Sequence, residues 1–175
     1  MKKCCFIFCV AASFLLCSSC ATYLSSNKEK VITAYMPSKY LKYYIRPGKM
    51  AYEAPMADTY VMIDFSYQMD KRAYVSNAYT NFTLYDRSEA FIDSAYFLFP
   101  DGTRAVLSEI STLDRNTTKG YIRISTILEQ QNIERVLTAL EKSDCILTVI
   151  LEDGTSKSFV ATEDLATRIR EAFSK

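Results

Sequence analysis

The residues of this chain that could carry chemistry are six cysteines, thirteen tyrosines and scattered carboxylates, because histidine is absent. Without imidazole the chain lacks the commonest general base near neutral pH and the commonest metal ligand. A hydrolase built from it would have to use a pair of carboxylates, as glycoside cleavage does. Asp64 falls on the polar side of an alternating stretch, Glu89 and Asp93 lie in the run-in to another, and Glu152 and Asp153 sit at a turn. Acidic side chains in such places are ordinarily solvated, so they define no catalytic set. Asp101-Gly102 and Asp153-Gly154 lack the spaced oxygen ligands of a calcium site and read as hairpin turns. There is no Gly-rich phosphate loop, G-x-S-x-G, CxxC or HExxH. No catalytic residue, metal ligand or cofactor is therefore assigned.

The cysteines are informative once located. Cys4, Cys5, Cys9, Cys17 and Cys20 all fall in the first twenty residues, and only Cys145 lies beyond them. Met1-Lys2-Lys3 is basic, Cys4 to Leu16 is almost wholly apolar, and Cys17-Ser18-Ser19-Cys20 follows. This is the layout of a secretory signal, and the apolar run is shorter than the roughly 18–20 residues a membrane-spanning helix needs. The stretch resembles the signal peptide of bacterial lipoproteins, whose peptidase cuts before a cysteine that receives acyl chains. The common motif there is a Leu-like residue, two small residues and the cysteine; here Cys17 holds the Leu position and Leu16 stands one place further out. The resemblance implies a signal peptide over residues 1–19 and a lipidated first mature residue at Cys20. It also implies a membrane partner through that acyl anchor and a place in the bacterial cell envelope, on the outer membrane or a periplasm-facing membrane. The competing reading is a secreted, unanchored protein cut after Ala21, since Ser19-Cys20-Ala21 passes as a small-x-small site.

Charge narrows the partners. Removing Lys2 and Lys3 with the leader leaves 19 basic against 20 acidic side chains. A near-neutral domain offers no basic face for nucleic acid. The tyrosines are the more specific feature, since most of them fall between Tyr23 and Tyr85. Tyrosine supplies rigid amphipathic contact area for a protein or a sugar. Tyr40, Tyr43 and Tyr44, on a segment with no clear core face, are the candidate binding surface for an envelope protein or glycan partner. Tyr60, Tyr67, Tyr79 and Tyr85 are expected as ordinary strand tyrosines.

The elements that would position these residues follow from periodicity. Residues 20–49 read as the lipidated cysteine, a polar tether and an irregular arm, because Met36-Pro37 and Arg46-Pro47-Gly48 break the pattern. Residues 50–175 read as one β-rich globular domain. Val61, Ile63, Phe65, Tyr67 and Met69 alternate with polar residues, as do Thr80, Phe82 and Leu84, which is the signature of half-buried strands. Pro100-Asp101-Gly102 turns one hairpin and Glu152-Asp153-Gly154-Thr155 another. Residues 108–118 are polar and read as a loop. Asn132 is an expected N-cap for a helix with Ile133, Val136, Leu137 and Leu140 on one stripe. Thr162 is expected to cap a last helix whose Leu165, Ile169 and Phe173 face the core. Cys145 opens an apolar run and is expected to be a buried, inert thiol.

The stretch from Asn132 to Phe173, helix, apolar strand, Asp-Gly hairpin, strand and short helix, resembles the end of the invasion-associated locus B-like envelope proteins. Those are β-sandwiches that finish with a similar helix–hairpin–helix; the paired cysteines and the glycine that opens their last helix are missing here. The resemblance implies fold class and transfers no functional residue. The expected architecture is α+β, a mainly antiparallel β-sheet or sandwich of about seven strands with two short helices. The expected role is noncatalytic binding or assembly at the envelope, and the alternative is a carboxylate-dependent hydrolase of envelope polymers.

Overall fold

The computed structural model describes residues 30–36, 40–54, 58–71, 73–87 and 90–174. The leader, Cys20 and the tether up to residue 29 lie outside them, as does Glu89. The elements in chain order are β1 (Val31–Tyr35), β2 (Leu41–Tyr52), β3 (Tyr60–Asp70), β4 (Ala73–Tyr74), β5 (Ala78–Tyr85), β6 (Ile92–Leu98), β7 (Arg104–Asn116) and β8 (Tyr121–Leu128). Helix α1 (Gln130–Glu141), β9 (Ile146–Leu151), β10 (Ser156–Ala161) and helix α2 (Glu163–Phe173) complete the chain. The fold is mostly antiparallel β with two short helices.

It is a closed barrel rather than a sandwich. Eight strands follow one another as β2-β10-β9-β6-β7-β8-β5-β3, and β3 pairs back onto β2. Strands β1 and β4 extend the sheet at β2 and β3. The element that closes the ring is β2, part of the stretch expected as an irregular arm. Its Pro47 hides it: a proline cannot donate to a ladder and normally argues against an interior strand. Here the register passes from Ile45↔Phe65 to Gly48↔Ile63, so Arg46 and Pro47 together stand opposite Asp64 in a bulge. A bulge is where a strand tolerates a missing donor.

The inward faces fill the barrel, as expected for eight strands. Val61, Ile63, Phe65 and Tyr67 on β3 and Thr80, Phe82 and Leu84 on β5 are buried, following the period-two pattern. Ile45, Met50, Phe97, Ile124, Leu147 and Phe159 meet them in one apolar cluster. Helix α1 joins the end of β8 to the start of β9 and contributes Ile133, Val136, Leu137 and Leu140 to that cluster. Helix α2 packs on β2 so closely that a Cβ on Gly48 would lie 2.8 Å from Leu165 Cδ1.

Three local expectations change. Helix α1 begins at Gln130, not after Asn132, and the Asn77 Oδ1 accepts a bond from the Gln130 backbone N–H at 2.9 Å. A side chain distant in sequence thus serves the helix start. Phe173 is 44% exposed, while Ala172 is buried. Residues spaced by four drift around a helix, so Phe173 is rotated about 80° from Leu165 and leaves the stripe. The polar stretch after Leu107 is not a loop but the second half of β7. It pairs with β8 through two bulges and, apart from Ile110 against the core and the half-buried Arg115 and Asn116, keeps its side chains in solvent, so it shows no apolar alternation to read.

Candidate binding face on the outside of the barrel

With alternate residues filling the interior, the others on β3, β5 and β8 form an ordered outer face. The register aligns Tyr60, Tyr85 and Tyr121 in one row and Met62, Thr83 and Arg123 in the next. Asp64, Asn81 and Ser125 make a third row, and Ser66, Tyr79 and Ile127 a fourth. Strand β2 flanks them, with Lys49 beside Met62, Tyr44 beside Ser66 and Lys42 beside Gln68.

The tyrosine row is packed on itself. The Tyr60 and Tyr85 rings stack with centroids 4.4 Å apart, and Tyr121 tilts against Tyr85 at 5.8 Å. The Lys49 ammonium lies 4.6 Å from the Tyr60 ring centroid. The Tyr121 hydroxyl donates to Asp114 Oδ2 at 2.7 Å, and this bond to a carboxylate holds its pKa above the usual phenol value. The ring faces of Tyr60 and Tyr85 are used up within the row and by Lys49, so what these two leave for a ligand is edges and hydroxyls.

Asp64 is the chemical centre of the face. Although it points outward, its side chain is only 2% exposed. Asn81 Nδ2 donates to Asp64 Oδ1 at 2.9 Å and Arg123 Nη2 to Asp64 Oδ2 at 3.2 Å. Burial pushes the Asp64 carboxyl above its ordinary value, and the bonds from Asn81 and Arg123 only partly offset this. The half-buried Tyr44 hydroxyl feels the same group: burial and then Asp64 raise its pKa, while Arg123 and Arg46 act to lower it. Tyr44, Asp64, Arg46 and Arg123 therefore form one electrostatic cluster, assembled by the β2 bulge.

The residues expected to bind sort differently. Tyr44 belongs to this face. Tyr43 does not: it is 6% exposed and stacks on Tyr67 at 5.3 Å inside the barrel, because Ile45 and Tyr43 share the inward side of β2. Tyr40 precedes β2, half-buried, and its carbonyl accepts the Met36 N–H at 3.0 Å. Cys20 lies outside the described residues. Tyr67 is a core side chain, whereas Tyr79 is 58% exposed on the outer face.

The remaining chemical candidates are spent in local structure. Asp101 accepts from the Thr103 backbone N–H at 3.0 Å and its hydroxyl at 2.6 Å, and pairs with Arg135 at 2.7 Å. Asp153 accepts from the Thr155 N–H at 2.8 Å. These bonds hold both carboxyls below the usual range. Asp64 is engaged by a guanidinium and an amide, not by a second carboxylate. Among the described residues, no three Asp, Glu or Cys side chains are placed to hold a metal. Cys145 is buried, and burial pushes its thiol up to about 12, the environment of an inert cysteine.

Sequence reasoning missed Arg46, Lys49, Asn81 and Arg123 and the alignment of Tyr60, Tyr85 and Tyr121. Alternation places each of those tyrosines on the outward side of its strand. That they form one row depends on the pairing of β5 with β8, which residue order does not state.

The fold and face define a class, a closed antiparallel barrel with helices packed into its core and a polar, tyrosine-rich outer surface. Comparison with protein-family models, with curated proteins and with solved structures gives no match to this chain.

Proposed function

We propose that the chain is a lipid-anchored bacterial envelope protein with a noncatalytic binding role, and that the outer face of β2, β3, β5 and β8 is its binding surface. The observation that carries the binding role is the row Tyr60, Tyr85 and Tyr121 beside the Asp64–Arg123 pair. The core is already filled from the inner faces of these strands, so packing does not require tyrosines in register outside. The anchor rests on the signal-like stretch ending at Cys20. Two acyl chains and more hold a protein at a membrane where one chain binds only marginally.

Two measurements test this. Cys20→Ala should move the protein out of the membrane fraction, and mass spectrometry of the wild-type N-terminal peptide should find acylated Cys20; an unmodified start at Thr22 would refute the anchor. A photo-crosslinking residue at Tyr79 should trap an envelope component in cells, whereas one at Tyr96, across the barrel on β6, should not. Equal trapping at both positions would refute the assignment of the face.

A further inference from the structure

The charge on this face is not balanced as it is over the whole chain. Along β2 the outward side chains are Lys42, Tyr44, Arg46 and Lys49, and Lys42 and Lys49 are exposed. Arg123 adds a fourth cation from β8, with 38% of its side chain in solvent. Between Lys42 and Lys49, and across to Arg123, the one carboxylate among the described residues is Asp64, buried and already engaged by Arg123 and Asn81. The carboxylate therefore orients a guanidinium from beneath while contributing little negative charge at the surface. Asp114 stands at the margin, opposite Arg123 on β7. The result is a local positive stripe on a near-neutral protein, a surface that concentrates anions.

Two further features narrow the anion. Strands β3 and β5 are paired on both sides, and β2 is paired by β3 and by β1 and β10 in turn. Among the described residues of these strands an extended peptide would find no free backbone edge and no row of apolar pockets, the features by which strand-like peptides are held. What the face does supply between the cations is a set of partly exposed hydroxyls and amides, Ser66, Gln68, Asn81 and Ser125, with the Tyr44 hydroxyl among them, while Thr83 in the same register is buried. That pattern matches a ligand that carries a carboxylate and several hydroxyls on each unit.

The geometry points to an acidic polysaccharide, a carboxylate-bearing glycan, as the ligand of this face, with Lys42, Arg46, Lys49 and Arg123 meeting its carboxylates. This rests on the reading of the face as the binding surface and names its ligand class.

The full chain in detergent, titrated with polygalacturonate, neutral dextran and poly-L-glutamate, tests it. Polygalacturonate should bind and weaken as salt rises, and dextran should not bind. Lys42→Glu with Lys49→Glu should lower the affinity at least tenfold. Lys142→Glu with Arg104→Glu, the same charge change on other surfaces, should leave it within twofold. Poly-L-glutamate binding as tightly as polygalacturonate, or polygalacturonate binding insensitive to the Lys42 and Lys49 reversal, would overturn the inference. No polygalacturonate binding with Tyr79 crosslinks retained in cells would overturn the ligand class alone, and loss of both would overturn the face itself.

Discussion

Arg123 and Asp64 form an ion pair whose two ends live in different media: the Asp64 side chain is 2% exposed and the Arg123 side chain 38%, with 3.2 Å between Nη2 and Oδ2. The carboxylate has given up its water and depends on its partners, while the guanidinium keeps contact with solvent. Removing the arginine is therefore worse than removing both. Arg123→Ala should destabilise the fold by about 1–3 kcal/mol at pH 7, below the range for a fully buried pair because Arg123 is screened by water. Arg123→Ala with Asp64→Asn should recover part of that loss in urea denaturation.

The same pair sets a pH dependence. Burial raises the Asp64 pKa above its unfolded value, so the folded state holds the proton more tightly than the unfolded chain. Stability from this group thus increases as pH falls through the folded pKa toward the unfolded one. The wild type should gain on Asp64→Asn as pH is lowered from 7 toward 4. In Arg123→Ala, which lacks the guanidinium that lowers the Asp64 pKa, the gain should start at a higher pH. A difference that widens in the opposite direction would contradict the assignment.

Adjacent tyrosines on β2 should behave as opposites. Tyr43 is a core residue stacked on Tyr67, so Tyr43→Ala should cost about 3–5 kcal/mol, as large aromatic deletions do. Tyr44 is half-buried on the outer face, and Tyr44→Ala should cost about 1 kcal/mol. Thermal or urea unfolding of the two variants would show it, and similar losses would mean the inward–outward assignment is wrong.

Gly48 is required by close approach and not by its backbone angle. An added Cβ would lie 2.8 Å from Leu165 Cδ1 and 3.0 Å from Leu165 Cα. Because backbone as well as side chain is in the way, Gly48→Ala should destabilise by about 1–3 kcal/mol. Leu165→Ala should relieve the clash only partly, so the double variant should lose less than the sum of the singles.

At the end of the barrel away from α1, Lys157 Nζ lies 3.1 Å from Asp86 Oδ2, and each side chain is 12% exposed. Lys157→Met should cost about 3 kcal/mol by stranding the carboxylate, whereas Asp86→Leu with Lys157→Met should be close to neutral. Equal losses in the single and double variants would show that the pair itself, not the stranded charge, matters.

How much of this was legible in the residues depends on what each element shows to water. Strands β3 and β5 have one wet and one dry face, so Val61 to Met69 and Thr80 to Leu84 announce themselves. So does the stripe of α1, and so do the two hairpin turns with Gly102 and Gly154 at φ +80° and +82°. Strand β7 past Leu107 is mostly exposed, with Ile110 alone packed against the core, and reads as loop. Strand β2 reads as broken because Pro47 sits in it, yet that bulge is what sets Arg46 opposite Asp64 in the register. The candidate face was legible one tyrosine at a time, through Tyr44, while its assembly depends on pairings between strands far apart in the chain.

The bulges of β7 have one more consequence. Past Leu107 this strand pairs with β8 alone, and among the described residues no strand covers its other side. An uncovered ladder of that length is a template for joining copies edge to edge. Register shifts near Ser108 and Thr112 and the left-handed backbone at Glu109, φ +52°, break the regular spacing of its donors and acceptors. The strand thus carries, in its own backbone, protection against pairing with another copy.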